Sequence, residues 1–191
     1  NTKKSSERIA RAAFDFARKF GRKKVTVVHK ANVVRATDNL FLETVREVAN
    51  GYPEFQLDEA NVDALTMWLL KNPFNYDVLV APNLYGDIIS DLCAQMVGGL
   101  GFGCAGNIGA KLAVFEPTHG SAPKYAGLYK VNPIATILTA RMMLDWLGET
   151  EKGTRLEQAV AAVIAEGKVR TSDMGGNAKT PEMADAIAAT L

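Results

Sequence analysis

The chain has 191 residues, of which 48% are hydrophobic, 8% aromatic and 23% charged, a balance that builds a buried core and excludes intrinsic disorder. Its 22 Lys and Arg against 21 Asp and Glu leave a net charge of +1, so no global basic field exists to hold nucleic acid by counterion release. Apolar runs such as 25–28 and 78–82 are strand-sized and far short of the ~20 residues that span a bilayer, which excludes a membrane partner of that kind.

In chain order, residues 6–20 read as an amphipathic helix with a Ser cap, apolar Ile9, Ala12, Ala13, Phe16 and Phe20 at helical spacing, and Gly21 just past its end. A basic link leads to the β-branched run 25–29, a buried strand. Helices follow at 38–49 and 62–71, the second stopped by Asn72-Pro73. An apolar strand at 77–81 precedes a helix at 86–97, which runs into the glycine-rich stretch 98–103. A third strand is expected at 112–116. Pro133 suits the first turn of a long helix reaching 147, and helices at 154–166 and 180–190 close the chain.

Strands alternating with helices predict an α/β fold whose sheet is covered on its faces. Such sheets bind ligands beyond the carboxyl ends of their strands. Three exits therefore matter: His29-Lys30-Ala31-Asn32, Asn83-Leu84-Tyr85-Gly86-Asp87 and Pro117-Thr118-His119-Gly120-Ser121. The two cysteines, Cys93 and Cys104, have no C-x-x-C spacing and no His cluster, so neither a disulfide scaffold nor a zinc site is expected. A reducing, cytoplasmic setting fits them. The opening residues Asn1 to Arg8 form neither a signal nor a transit peptide.

Asp87 and Asp91 fall four apart on one helix face, where like charges repel unless a hard cation such as Mg2+ or Mn2+ lies between them. The alternative is a solvated pair that complements the helix dipole. Lys30, directly after a buried strand, is either partly desolvated and able to exchange protons or a strand-end lysine reaching water. Asp63, opening the third helix, is a dipole partner or a ligand. Gly101 to Gly106 matches G-x-G-x-x-G, but a helix precedes it and a strand follows too soon for a βαβ unit, so a flexible connection is expected and not a classical Rossmann loop. His119-Gly120-Ser121-Ala122-Pro123 is a small-residue turn whose backbone N–H groups can face a phosphate while the imidazole stacks on a base; otherwise it is an ordinary turn.

Taken together, Glu7-Arg8-Ile9-Ala10-Arg11-Ala12-Ala13-Phe14, Val28-His29-Lys30-Ala31-Asn32-Val33, Val62-Asp63-Ala64-Leu65-Thr66-Met67, Asn83-Leu84-Tyr85-Gly86-Asp87-Ile88-Ile89-Ser90-Asp91 and His119-Gly120-Ser121-Ala122-Pro123 resemble the metal-dependent β-decarboxylating dehydrogenases. That family includes isocitrate, homoisocitrate and 3-isopropylmalate dehydrogenases, and the likeness spans essentially the whole chain.

The resemblance implies that Lys30 is a catalytic lysine acting at the substrate hydroxyl in the opposite subunit's site. It makes Asn32 a neighbour of the nicotinamide, Asp87 and Asp91 metal ligands from one subunit, and Asp63 the ligand and catalytic aspartate supplied by the other. His119, Gly120, Ser121, Ala122 and Asn132 match the residues that hold the adenosine. Lys124 and Tyr125 match a pair that reads the 2′-phosphate of NADP, whereas Thr171-Ser172-Asp173-Met174-Gly175-Gly176 resembles the NAD-using kind. NADP with modest discrimination over NAD is the resulting expectation.

The implied reaction moves hydride from C2 of a 2-hydroxy acid to the nicotinamide and then releases the β-carboxylate as carbon dioxide, with a divalent ion stabilising the enolate. Met96 to Gly101 and Asn107-Ile108-Gly109 resemble the isocitrate branch, with homoisocitrate and 3-isopropylmalate as alternatives. The resemblance covers only the family's C-terminal portion: about 1–75 corresponds to the small, dimerising domain and about 76–191 to the large cofactor-binding domain. A homodimer with composite sites is implied. Arg35 and Lys124 are too few to grip the substrate carboxylates, so the 191 residues alone are expected to be inactive; a folded fragment or subunit that only binds nucleotide or a partner chain is the alternative.

Overall fold

The computed structural model describes residues 2–191, which pack as two units divided between Cys93 and Ala94. In the first, helix α1 (Lys3–Lys19) starts earlier than its sequence suggests, because Thr2 and not a serine caps it by accepting from the Ser5 N–H at 3.2 Å. It ends at Gly21, whose φ of +62° lets the Arg22 N–H turn back to the Ala17 carbonyl at 2.8 Å. Strand β1 (Lys24–His29) is the centre of a parallel sheet ordered β2-β1-β3, with β2 at Gln56–Asn61 and β3 at Val78–Val80. Central position explains why β1 is buried from Val25 to His29, on both faces.

β2 escapes a reading by composition, since Gln-Leu-Asp-Glu-Ala-Asn is poor in strand formers. At a sheet edge those charges reach water and discourage pairing with another chain. Helices α2 (Arg35–Ala49) and α3 (Val62–Lys71) complete the unit, with α4 (Asn83–Met96) leading out of it. The core packs Phe14 of α1, Val25 and Val27 of β1, and Phe41, Val45 and Val48 of α2, with Tyr52 stacked on Phe14 at 4.7 Å between ring centroids.

In the second unit the expected third strand does not join that sheet. β5 (Ala113–Pro117) pairs antiparallel with β4 (Cys104–Ile108), so the His119 turn leaves a hairpin and not a parallel sheet. The 101–106 stretch, expected to be a flexible connection, is strand from Cys104 onward. Gly106 hides that strand in the sequence, yet it is suited to it: a Cβ there would lie 3.2 Å from the Phe115 ring across the hairpin. Helices α5 (Ile134–Trp146), α6 (Thr150–Glu166) and α7 (Thr180–Ala188) build a core of Ile134, Ala159, Val160, Val163, Met183 and Ile187. No classical Rossmann unit forms, and the α/β expectation holds.

Candidate active site

Chemically able side chains gather separately in each unit. In the first, β1 delivers Lys30 to its carboxyl end, where the Lys30 ammonium meets Asp63 Oδ1 of α3 at 2.5 Å. That hydrogen bond is the main reason the Asp63 carboxyl is held below the usual carboxylate range. Parallel register explains the meeting: His29 lies opposite Asn61, so the residue after β1 and the start of α3 leave the sheet side by side. Asn32 follows in the turn and is exposed.

Asp87 and Asp91 stand one turn apart on α4, both exposed, and Asn83 Nδ2 lies 3.5 Å from each Asp87 oxygen. Two carboxylates with room for water are a donor set of the kind a hard divalent cation uses. Among the described residues no three His, Cys, Asp or Glu side chains come together to hold a metal. One chain thus pairs Asp63 with Lys30 and does not gather it with Asp87 and Asp91.

One feature here was missed by sequence reasoning. Asp38, only 3% exposed, sits in the first turn of α2. It accepts from the Lys30 N–H at 2.7 Å and the Tyr85 hydroxyl at 2.9 Å, both on Oδ2, while Thr37 Oγ1 reaches Oδ1 at 3.2 Å. Burial and the Asp38 carboxylate push the Tyr85 phenol up. A single acidic residue near a helix start reads as a dipole partner, and nothing in its spacing points at Lys30 or Tyr85.

The second unit carries a cavity of about 480 Å³ lined by His119, Gly120, Ala122, Tyr125 and Asn132, joined by Leu100, Gly101, Lys130, Val131, Ser172 and Asp173. Five of the expected cofactor residues therefore come together. Ser121 and Lys124 are not in its wall; the Lys124 ammonium lies over the Tyr125 ring, 4.9 Å from its centroid. Ala122 has φ +45°, a left-handed backbone that closes the turn after His119.

His119 Nδ1 lies 2.9 Å from the Gly120 carbonyl, which can only accept, while Nε2 is buried with no partner. Asn132, 3% exposed, is fixed from both ends: Oδ1 accepts from the Ile134 N–H at 3.0 Å, and Nδ2 donates to Asp173 Oδ2 at 2.9 Å. Thr171 Oγ1 donates to the other Asp173 oxygen. Gly101 is required for close approach, since a Cβ there would fall 2.5 Å from Asp173 Oδ2 and 3.1 Å from Asn132. An apolar hollow with an unpartnered imidazole nitrogen, a fixed amide and a carboxylate fits the adenosine end of a dinucleotide. The Gly101 signal was visible in the sequence as part of the glycine-rich run, but its reason is tertiary.

Residues 1–187 match the sequence profile of isocitrate/isopropylmalate dehydrogenases, and the chain belongs to that family of metal-dependent, nicotinamide-using β-decarboxylating enzymes. It is 50% identical over 190 residues to 3-isopropylmalate dehydrogenase of Archaeoglobus fulgidus, covering 100% of this chain and 58% of that protein. The isocitrate/homoisocitrate dehydrogenase of Thermus thermophilus is also 50% identical, over 100% of this chain and 57% of its own length.

The probable isocitrate dehydrogenase [NAD] subunit alpha, mitochondrial, of Drosophila melanogaster is 47% identical over 100% of this chain and 50% of its length. The crystal structure of isocitrate dehydrogenase from Methylococcus capsulatus superposes with a TM-score of 0.96 at 47% identity, over 99% of this chain and 56% of that one. The chain spans about half the length of the curated relatives it matches. Among the described residues no helix is long and apolar enough to cross a membrane.

Proposed function

We propose that the protein to which these residues belong is a divalent-metal-dependent oxidoreductase that oxidises and decarboxylates a 2-hydroxy acid, isocitrate first, with homoisocitrate and 3-isopropylmalate as its close alternatives. The observation that carries this reading is the Lys30–Asp63 pair at 2.5 Å on the strand exit. An ammonium held by a carboxylate at the end of a buried strand is a fixed hydrogen-bond donor for a substrate hydroxyl. A bound nicotinamide would supply the hydride acceptor, and Mg2+ or Mn2+ held by Asp87, Asp91 and Asp63 would supply Lewis-acid chemistry.

In this reading Asp87 and Asp91 hold the metal from one protomer, and Asp63 reaches it from the partner, as Lys30 reaches the substrate. The assembly is a homodimer with composite sites. Met67, Leu70 and Phe74, at 54%, 66% and 98% exposure on and just after α3, support a partner surface beside Asp63. Asn32 stands near the nicotinamide. His119 to Ala122, Tyr125 and Asn132 hold the adenosine, and Lys124, exposed at the edge of the turn, is the cation for a 2′-phosphate, which gives NADP a modest preference. Two free thiols, Cys93 and Cys104, suit a reducing cytoplasm.

NAD is the second reading, favoured because Asp173 lines the cavity and Lys124 does not. A carboxylate there repels a 2′-phosphate and accepts from a 2′-hydroxyl. The test is reduced nicotinamide formation, followed at about 340 nm, by the complete protein with each hydroxy acid and each cofactor. Turnover of isocitrate with the NADP to NAD efficiency ratio between about one and a hundred supports the first reading. An NAD preference of about tenfold or more supports the second. No turnover with any of the three acids sinks both.

A further inference from the structure

The Asp38 carboxylate is 3% exposed, and the bonds of its Oδ2 are spent on other elements. A helix without a side-chain N-cap would gain from an acidic group turned to its own first N–H groups. Asp38 instead reaches back to the Lys30 N–H and across to the Tyr85 hydroxyl, placing both donors on the one oxygen Oδ2. Burying a carboxylate is costly unless its lone pairs are satisfied, and three donors from the β1 exit, α2 and α4 satisfy this one. Two of them stand next to proposed chemistry. Lys30 carries the ammonium paired with Asp63, and Tyr85 lies two residues before Asp87 in the first turn of α4.

We infer that Asp38 is a positioning residue, whose Oδ2 fixes the β1 exit and the start of α4 against each other and so sets where Lys30 stands relative to the Asp87 and Asp91 pair. The inference rests on the reading of those residues as substrate and metal groups. Because that reading gives Lys30 to one composite site and Asp87 to the other, Asp38 holds a half of each site in one protomer. Tyr85→Phe deletes a single hydroxyl and frees only the α4 side. Asp38→Asn weakens both sides, since a neutral amide offers one accepting oxygen in place of a charged pair.

The experiment uses the complete protein, with Mn2+ affinity read by electron paramagnetic resonance and kcat read at saturating metal. Tyr85→Phe should weaken Mn2+ about tenfold, the effect of losing one hydrogen bond to a charged group, while kcat stays within about twofold. Asp38→Asn should weaken Mn2+ and also lower kcat about tenfold or more. A role confined to folding moves the melting temperature and leaves this split absent. Should Asp38→Asn not fold, Tyr85→Phe alone decides. Unchanged Mn2+ affinity in Tyr85→Phe overturns the inference when Asp87→Asn, run beside it, loses affinity. If Asp87→Asn also binds as the parent does, the metal reading fails and the inference with it.

Discussion

Lys30 and Asp63 show how one contact converts two unremarkable residues into a chemical unit. The depressed Asp63 carboxyl owes its shift first to the hydrogen bond from the Lys30 ammonium. A group whose folded pKa is lowered contributes stability above its unfolded value, near 3.9 for Asp, and loses it as pH falls through the folded value. The pair should therefore persist at pH values where free aspartate is already protonated. Carboxyl-carbon NMR of Asp63 should give a titration below the ordinary range, and Lys30→Met should move it up toward that range. A midpoint that does not respond to Lys30→Met would mean the two side chains do not meet in solution. At Asn132, where Oδ1 accepts from the Ile134 N–H and Nδ2 donates to Asp173, Asn132→Ala should cost about 1 to 3 kcal/mol through the group left unsatisfied. Denaturant unfolding measures that cost, and titration with NAD should show weaker binding in the same variant.

At the scale of elements, β1 dominates because both its neighbours pair with it in parallel and its side chains are covered on both faces. The aromatic knot of Phe14, Tyr52 and Phe55 closes one of those faces against α1. Phe14 is fully buried, so Phe14→Ala should destabilise the fold by about 3 to 5 kcal/mol, read from the shift of the denaturation midpoint at unchanged m-value. A loss below about 1 kcal/mol would mean that the knot collapses to refill the space. In the second unit, Gly101→Ala puts a methyl group where Asp173 and Asn132 approach. Nucleotide affinity should fall about tenfold or more, measured by calorimetry with NAD and with NADP. Equal affinity in the variant would show that the Asp173 carboxylate yields without disturbing the hollow.

For the whole molecule, the separation of Asp63 from the α4 carboxylates within one chain is the decisive fact, since a metal held by only two carboxylates is weakly bound. The 191 residues by themselves should show no dehydrogenase turnover, and Mn2+ should bind a single protomer at least about tenfold more weakly than the assembled dimer. A coupled assay and a calorimetric titration check the two halves of that statement. Robust turnover by the 191-residue chain would show that the substrate carboxylates are gripped by residues within it.

Local rules carried much of the architecture. The α-helices among the described residues follow from apolar spacing and from stops such as Gly21 and Asn72-Pro73, and β1 and β3 from β-branched runs bounded by polar links. Residue types at the strand exits also single out Lys30, Asp87 and the His119 turn, whereas roles for Asp63 and Asp91 come from the family resemblance. Tertiary structure decided what local propensity cannot encode. β2 is a strand despite Asp58, Glu59 and Asn61 because β1 offers an open edge, and β4 is one despite Gly106 because the Phe115 ring covers it. Asp38, Asp173 and Gly101 gained their roles only when distant segments met, at sequence separations of 47 between Asp38 and Tyr85 and 41 between Asn132 and Asp173. Periodicity and capping act over a few residues, whereas a buried carboxylate is satisfied by whatever donors the fold brings to it.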